Sequence, residues 1–410
     1  MPVVRRRAFI GTALAAGGAG LLGLRYWPED GLWNPCFSHP IPESLLKHEL
    51  VLEAWEGIEA SQRWDCHVHL IGNGKSGSGI WLNPAMDSLW HPVQRIQKQF
   101  YLNAGCVEDG VSSDGAYVSR LVELQKEMPG TGRAMLLAFD YHHDSQRRRV
   151  QALSPFYTPN DYAARVAQGH PDQFQWIASI HPYRKDAVAR LEDAVKRGAR
   201  GVKWLPPAMG MDPASPRCDA FYAAMARLNV PLLSHGGKEL AVHSGEYQAL
   251  ANPLRLRRPL DQGVRVVVAH CASLGQGRDM DRGPNGPMLD NFELFSRMMD
   301  EPRYQGRLFG EISAMVQYNR VGRALHDVIT REDWHGRLVN GSDYPLPGIM
   351  PLISLRKLVG EGFLDGSKVA VISALRRYNP LMFDFVLKRH LRRGGRGLAA
   401  SVFESRRVFG

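Results

Sequence analysis

Eight short apolar runs, each followed by a polar loop and then a longer segment of helical spacing, restrict this chain to very few folds. The runs cover 64–70, 134–140, 174–181, 201–205, 230–235, 264–270, 308–312 and 338–343. Val264-Arg265-Val266-Val267-Val268-Ala269 is nearly continuous in apolar character, as expected of a strand covered on both faces. The segments 186–197, 219–228, 289–299 and 321–329 repeat apolar residues with helical period and contain few breakers. Strand-helix units in this number predict a single (β/α)8 TIM barrel. The competing open, doubly wound sheet ordinarily carries a glycine-rich phosphate loop, and none is found.

A barrel gathers the C-terminal ends of its strands at one rim, and the polar residues of this chain fall there. In the first run, Trp64-Asp65-Cys66-His67-Val68-His69-Leu70, the two histidines alternate and share a face about 7 Å apart, a spacing that suits one metal ion. Such a pair alone decides little. His181, Lys203, His235, His270 and Asp343 each close a later run, and the joint pattern is specific. Arg184 follows the third run and Glu311 stands at the end of the seventh, where each could contact substrate or serve locally, Arg184 as a helix cap and Glu311 as a partner of Lys203. Gly236-Gly237-Lys238-Glu239 through His243 resembles a tight ligand-facing turn, with Glu239 and His243 as substrate contacts.

The formal charge of +10 invites a nucleic-acid reading, so its distribution matters. Four arginines stand in residues 1–25 without an acid, and six stand in 389–410 against Glu404 alone, which leaves the body within one charge of neutral. A basic nucleic-acid face is therefore not expected. Arg6-Arg7 followed by the apolar, Gly/Ala-rich run 11–24 reads as a targeting signal over 1–27, similar to the twin-arginine type that exports folded proteins, with periplasmic or membrane-anchored location implied. Residues 28–60 read as an irregular linker plus an N-terminal helix over 45–60 that could lie across the closed end of the barrel. Residues 61–390 read as the barrel, and 391–410 as a basic, disordered or peripheral tail. Five cysteines without Cys-x-x-Cys spacing argue against a zinc ribbon or disulfide framework, although export permits one bridge. Cys66 and Cys271 adjoin proposed ligands and should pack on the opposite sides of their strands.

Asp65-Cys66-His67-Val68-His69, Gly201-Val202-Lys203, Pro231-Leu232-Leu233-Ser234-His235, Val268-Ala269-His270-Cys271 and Gly341-Ser342-Asp343-Tyr344-Pro345 together resemble the amidohydrolase superfamily, in its amidohydrolase-related branch of hydrolases, decarboxylases and hydratases. The resemblance covers most of 60–390, including Asn379-Pro380-Leu381-Met382-Phe383 as the closing helix. It implies that His67, His69, His235 and Asp343 hold one divalent metal, zinc first, with manganese, iron or cobalt as alternatives. It also implies that His270 faces the water or substrate. Asp343 would be the general base and His270 the group that polarises the carbonyl. Lys203 would meet a substrate carboxylate or, carboxylated, bridge to a second ion held with His270. Trp204-Leu205-Pro206 departs from the Leu-His-Pro of many members.

The expected activity is metal-hydroxide attack on an ester, lactone or amide carbonyl of a small molecule. The alternative within enzymes is a decarboxylase or hydratase of a small carboxylate, and outside them a non-catalytic barrel that binds ligand. The twin-arginine export machinery is the implied protein partner, and a homo-oligomer stays open.

Overall fold

The computed structural model describes residues 28–242 and 244–410. The signal expected over 1–27 and the candidate His243 lie outside the described residues. Eight parallel strands form one sheet in sequence order: β1 Trp64–His69, β2 Arg133–Leu137, β3 Phe174–Ala178, β4 Ala199–Trp204, β5 Leu232–His235, β6 Val266–Ala269, β7 Leu308–Glu311 and β8 Leu338–Val339. The sheet closes because the chain after β8 runs back along β1. Cys66 N–H donates to the Asn340 carbonyl at 3.1 Å, Asp343 N–H to the His67 carbonyl at 2.8 Å, and His69 N–H to the Tyr344 carbonyl at 2.9 Å. The molecule is thus a (β/α)8 barrel, as the eight runs predict.

Helices α1 Pro92–Ala104 and α2 Ser113–Glu127 follow β1, and α3 Asn160–Gly169, α4 Ala187–Lys196 and α5 Asp219–Arg227 follow β2, β3 and β4. Helices α6 Asn291–Asp300 and α7 Arg323–Thr330 flank β7, and α8 Val369–Tyr378 with α9 Pro380–His390 ends the barrel. Alternation along each strand divides the apolar residues into two cores. Val202, Trp204, Leu232, Val266, Val268, Leu308 and Leu338 face the helices. Met135, Leu137, Ile177, Leu233, Val267, Ala269, Phe309 and Val339 fill the lumen.

The C-terminal residues depart from expectation. Residues 391–410 are not a disordered or peripheral tail: the short helix Arg406–Phe409 inserts Val408 and Phe409 into the luminal core beside Trp64 and Val267. Its arginines serve backbone carbonyls, with Arg407 bonded to Leu338 at 2.6 Å, while Arg389 reaches Ala54 and Glu56 at 2.8 Å each. Val408 and Phe409 thereby close the end of the barrel beside Trp64, the position considered for residues 45–60. Those residues are not one helix but the turns Glu43–Leu46 and Glu49–Glu53, because His48 turns extended at ψ 134° and caps the second turn with its ring, and Gly57 follows that turn with φ +72°. Trp55 nevertheless stacks on Phe385 of α9 at 4.1 Å.

Cys36 and Cys106 form a disulfide that ties the linker to the end of α1, and Cys66, Cys218 and Cys271 are free and buried. Cys271 packs toward the helices as expected, but Cys66 faces the lumen beside Trp64. The register of β1 against β2 shifts between Asp65 and Val68, which changes the parity of the strand.

Candidate metal centre and substrate cavity

The shift in β1 aims the centre. After it, Val68 packs outward while His67 and His69 both point over the lumen, with ring centroids 5.2 Å apart. The same alternation that buries Leu233 inside β5 brings His235 inward at its end, and the outward Val202 and Trp204 leave Lys203 inward. His270 and Asp343 reach the centre by a different route, since both leave their strands with positive φ, +58° and +60°. That region is costly for residues other than glycine and recurs where function holds the chain. Gly341 permits the approach of the last segment: a Cβ there would lie 2.6 Å from both Glu311 Oε1 and His67 Cβ. Lys388 of α9 holds the Gly341 carbonyl at 2.7 Å and pairs with Asp384 at 2.7 Å, whose carboxyl burial pushes up to about 7.

At the rim, Asp343 Oδ1 lies 3.0 Å from His69 Nε2 and 3.3 Å from His67 Nε2, and Oδ2 lies 3.7 Å from His270 Nε2. One ligand atom from each of His67, His69 and Asp343 falls within 4.8 Å of the others, a grouping that fits a divalent cation by its imidazole and carboxylate donors. A second grouping joins His67, His270 and Glu311. Burial alone would raise the Asp343 carboxyl, yet the surrounding His67, His69 and His270 hold it well below its ordinary range. Burial pushes His69 down, and pushes His235 and His270 well down, so these rings stay neutral and fit to bind a cation. Lys203 Nζ lies 3.1 Å from His67 Nε2 and is lowered by burial, with Asp343 and Glu311 opposing that.

His235, expected as the third histidine ligand, does not join the group although it lines the same cavity. The turn that follows β5 occupies both its nitrogens: Nε2 is 3.0 Å from the Gly237 carbonyl and Nδ1 is 3.4 Å from Glu239 Oε2. Glu239 is spent on the same turn, accepting from Val242 N–H at 3.1 Å and from Ala241 N–H, so it shapes the cavity wall. Glu311 neither pairs with Lys203 nor reaches the cavity. It is fully buried, 3.2 Å from His67 Nδ1, and accepts from Ser313 Oγ at 2.8 Å. Arg184 does not line this cavity: it forms a fork on Asp186 at 2.9 and 3.1 Å. His181 is likewise satisfied internally by the Met209 carbonyl at 2.9 Å and the Tyr183 N–H at 3.1 Å.

Sequence reasoning missed Arg320. It lines the cavity, is 8% exposed, donates through Nη1 to Ser273 Oγ at 2.9 Å, and leaves Nε buried without a partner among the described residues. It follows β7 on the same rim as the other candidates, and that position was the available signal. The cavity, about 290 Å³, is further lined by Tyr101, Gln317 and Asn319. A side chamber of about 90 Å³ opens beside His69 and Asp343 between Ile80, Leu82, Met86, Leu102 and Phe156.

The family model described as Amidohydrolase matches residues 64–348, from β1 to just past the Asp343 segment. This chain belongs to the amidohydrolase family. That membership, with the cation-binding geometry, makes it an enzyme of the metal-dependent hydrolase and decarboxylase kind. Among solved structures it is similar to a probable 2-pyrone-4,6-dicarboxylic acid hydrolase from Acinetobacter baumannii, at 14% identity over 78% of this chain and 97% of that one, with a TM-score of 0.42. It is similar to a 2,6-dihydroxybenzoate decarboxylase from Rhizobium at 13% identity, 79% and 98% coverage and a TM-score of 0.40. A dihydroxybenzoic acid decarboxylase from Polaromonas sp. JS666 with bound manganese gives 13%, 79%, 97% and 0.43. No curated protein matches the chain.

Proposed function

We propose that this amidohydrolase hydrolyses an ester, lactone or amide carbonyl in a small substrate that carries an acidic group and an apolar limb. The observation that carries the reading is the meeting of His67, His69 and Asp343 at the wall of a cavity also lined by Arg320, whose buried Nε has no partner among the described residues. A divalent cation at that group, zinc by the donor set, would supply Lewis acidity and lower the pKa of water from about 15.7 to about 7. Asp343 keeps its carboxylate ionised beside the reacting centre, so it can accept a proton as water attacks. His270 is tethered through Nδ1 to Ser313 Oγ at 2.9 Å, which presents Nε2 to the carbonyl side of the cavity. Arg320 orients the acidic group, and the chamber beside Ile80 and Phe156 excludes water from the apolar limb. Glu311 positions His67 rather than touching substrate.

The test is a panel of acid-bearing lactones and esters with the metal-replete protein, read for proton release and separately for CO2. Proton release without CO2 is expected, and turnover seen only as CO2 would replace hydrolysis by decarboxylation. Unchanged turnover in His67→Ala/His69→Ala would remove the metal group from the chemistry. Export to the periplasm by the twin-arginine route is part of the same proposal and rests on Arg6-Arg7 and the apolar run after them. Fractionation of cells in which Arg6→Lys/Arg7→Lys holds the protein in the cytoplasm tests it.

A further inference from the structure

The outer face of α1 carries an apolar stripe whose first two turns are largely exposed. Val93 and Ile96 are 65% and 52% exposed, and Trp90, just before the helix, is 92% exposed. Val93, Ile96 and Phe100 stand at positions i, i+3 and i+7, on one side of the helix. Leu240 is 52% exposed and extends the patch across the cavity mouth, its carbonyl accepting from Gln97 Nε2 at 3.3 Å. Leu89, 73% exposed, borders Trp90. These large apolar side chains are grouped on and beside one helix, unlike the single exposed residues ordinary on a soluble surface.

The other end of the stripe is covered by the chain itself, which ties the N-terminal segment to this helix. Trp33 stacks on Phe100 at 4.7 Å, and Asn34 and Cys36 are fastened to Asn103 and Cys106 at the end of the same helix. Trp33 follows the apolar run 11–24 by nine residues, a reach of at most about 30 Å. An apolar run too short to span a bilayer is therefore joined to the very helix that displays the patch. The helix bears Arg95 on its exposed face and no acid. Stable attachment to a membrane surface takes two weak signals acting together, and tryptophan favours the boundary between headgroup and chain.

We infer that the α1 face, through Trp90, Val93, Ile96 and Leu240, docks on a lipid bilayer surface as the second of two anchors, the first being residues 11–24. Docking sets the cavity mouth toward the lipid, because Gln97, Phe100 and Tyr101 of the same helix line the cavity.

The full chain, with residues 1–27 retained, is mixed with vesicles of phosphatidylcholine and phosphatidylglycerol and sedimented. The comparison is the full chain with Trp90→Ser, Val93→Ser and Ile96→Ser, all surface positions, checked for unchanged melting. The triple variant is expected to lower vesicle partitioning by about tenfold or more, the scale set by removing three apolar side chains from an interface. Brominated lipid should quench the emission that is lost in Trp90→Phe. Equal partitioning of the triple variant, with Trp90 unquenched, would leave attachment to residues 11–24 alone and overturn the inference. So would absence of vesicle binding, or a patch variant whose change is from dimer to monomer, which would make a second copy the occupant.

Discussion

Glu311 Oε2 stands 3.2 Å from Nδ1 of His67 deep in the barrel, where both side chains are cut off from solvent. The carboxylate accepts from Nδ1–H, which fixes the tautomer and leaves Nε2 free toward Asp343 and Lys203. The hydrogen bonds from His67 and Ser313 and the ammonium of Lys388 outweigh burial and hold the Glu311 carboxyl below its ordinary range. Glu311→Gln keeps the shape but can present an amide N–H to the ring. Metal affinity, measured by competition with a chelator, should fall by about 10–100-fold with the melting temperature little changed. Unchanged affinity would show that His67 is not oriented by this pair.

Arg320 makes a claim about substrate. A charge-assisted hydrogen bond is worth about 1.5–3 kcal/mol, so Arg320→Gln should cost about 10–100-fold in kcat/KM for an acid-bearing substrate, mostly as a raised KM. A neutral analogue of the same substrate should lose far less. Equal losses for both would assign Arg320 to the structure of the wall alone.

Acid should weaken the fold through His181. Its neutral ring uses both nitrogens, and burial holds its pKa well below the ordinary value near 6.5. Below about 6.5 the unfolded chain binds a proton that the folded chain refuses, so the contribution is complete above that pH and is lost as pH falls toward the depressed folded value. The slope approaches about 1.4 kcal/mol per pH unit for this residue. Urea unfolding between pH 7.5 and 5.0 should show a steeper loss in the wild type than in His181→Gln. Parallel profiles would contradict the assignment.

The strands were legible because alternation and length mark them well, and the rim residues followed once a barrel was assumed. His67, His69, His270 and Asp343 meet as the spacing requires. The local devices were not legible. The register shift after Asp65 leaves no mark in composition, and it turns Cys66 inward beside the histidines. His235 depends on the turn of Gly237, whose carbonyl engages its Nε2. Arg184 and Arg320 both follow strands, and only side-chain packing shows that the first is spent on Asp186 while the second faces the cavity.

The C-terminal arginines misled for a similar reason, since net charge hides which residues are buried. Phe409 is 2% exposed in the luminal core, and Phe409→Ala should destabilise by about 3–5 kcal/mol, as large-to-small changes in cores do. Urea midpoints measure this, and a midpoint shift close to zero would return the segment to the status of a tail.

The central claim is that one cation is shared by His67 and His69 of the first strand and by Asp343 beyond the last. Anomalous diffraction from crystals of the zinc-loaded protein tests it most directly. A single strong peak within bonding distance of His67 Nε2, His69 Nε2 and an Asp343 oxygen is predicted, lost in Asp343→Ala. A peak elsewhere, or one that persists in that variant with the histidines empty, would contradict the account.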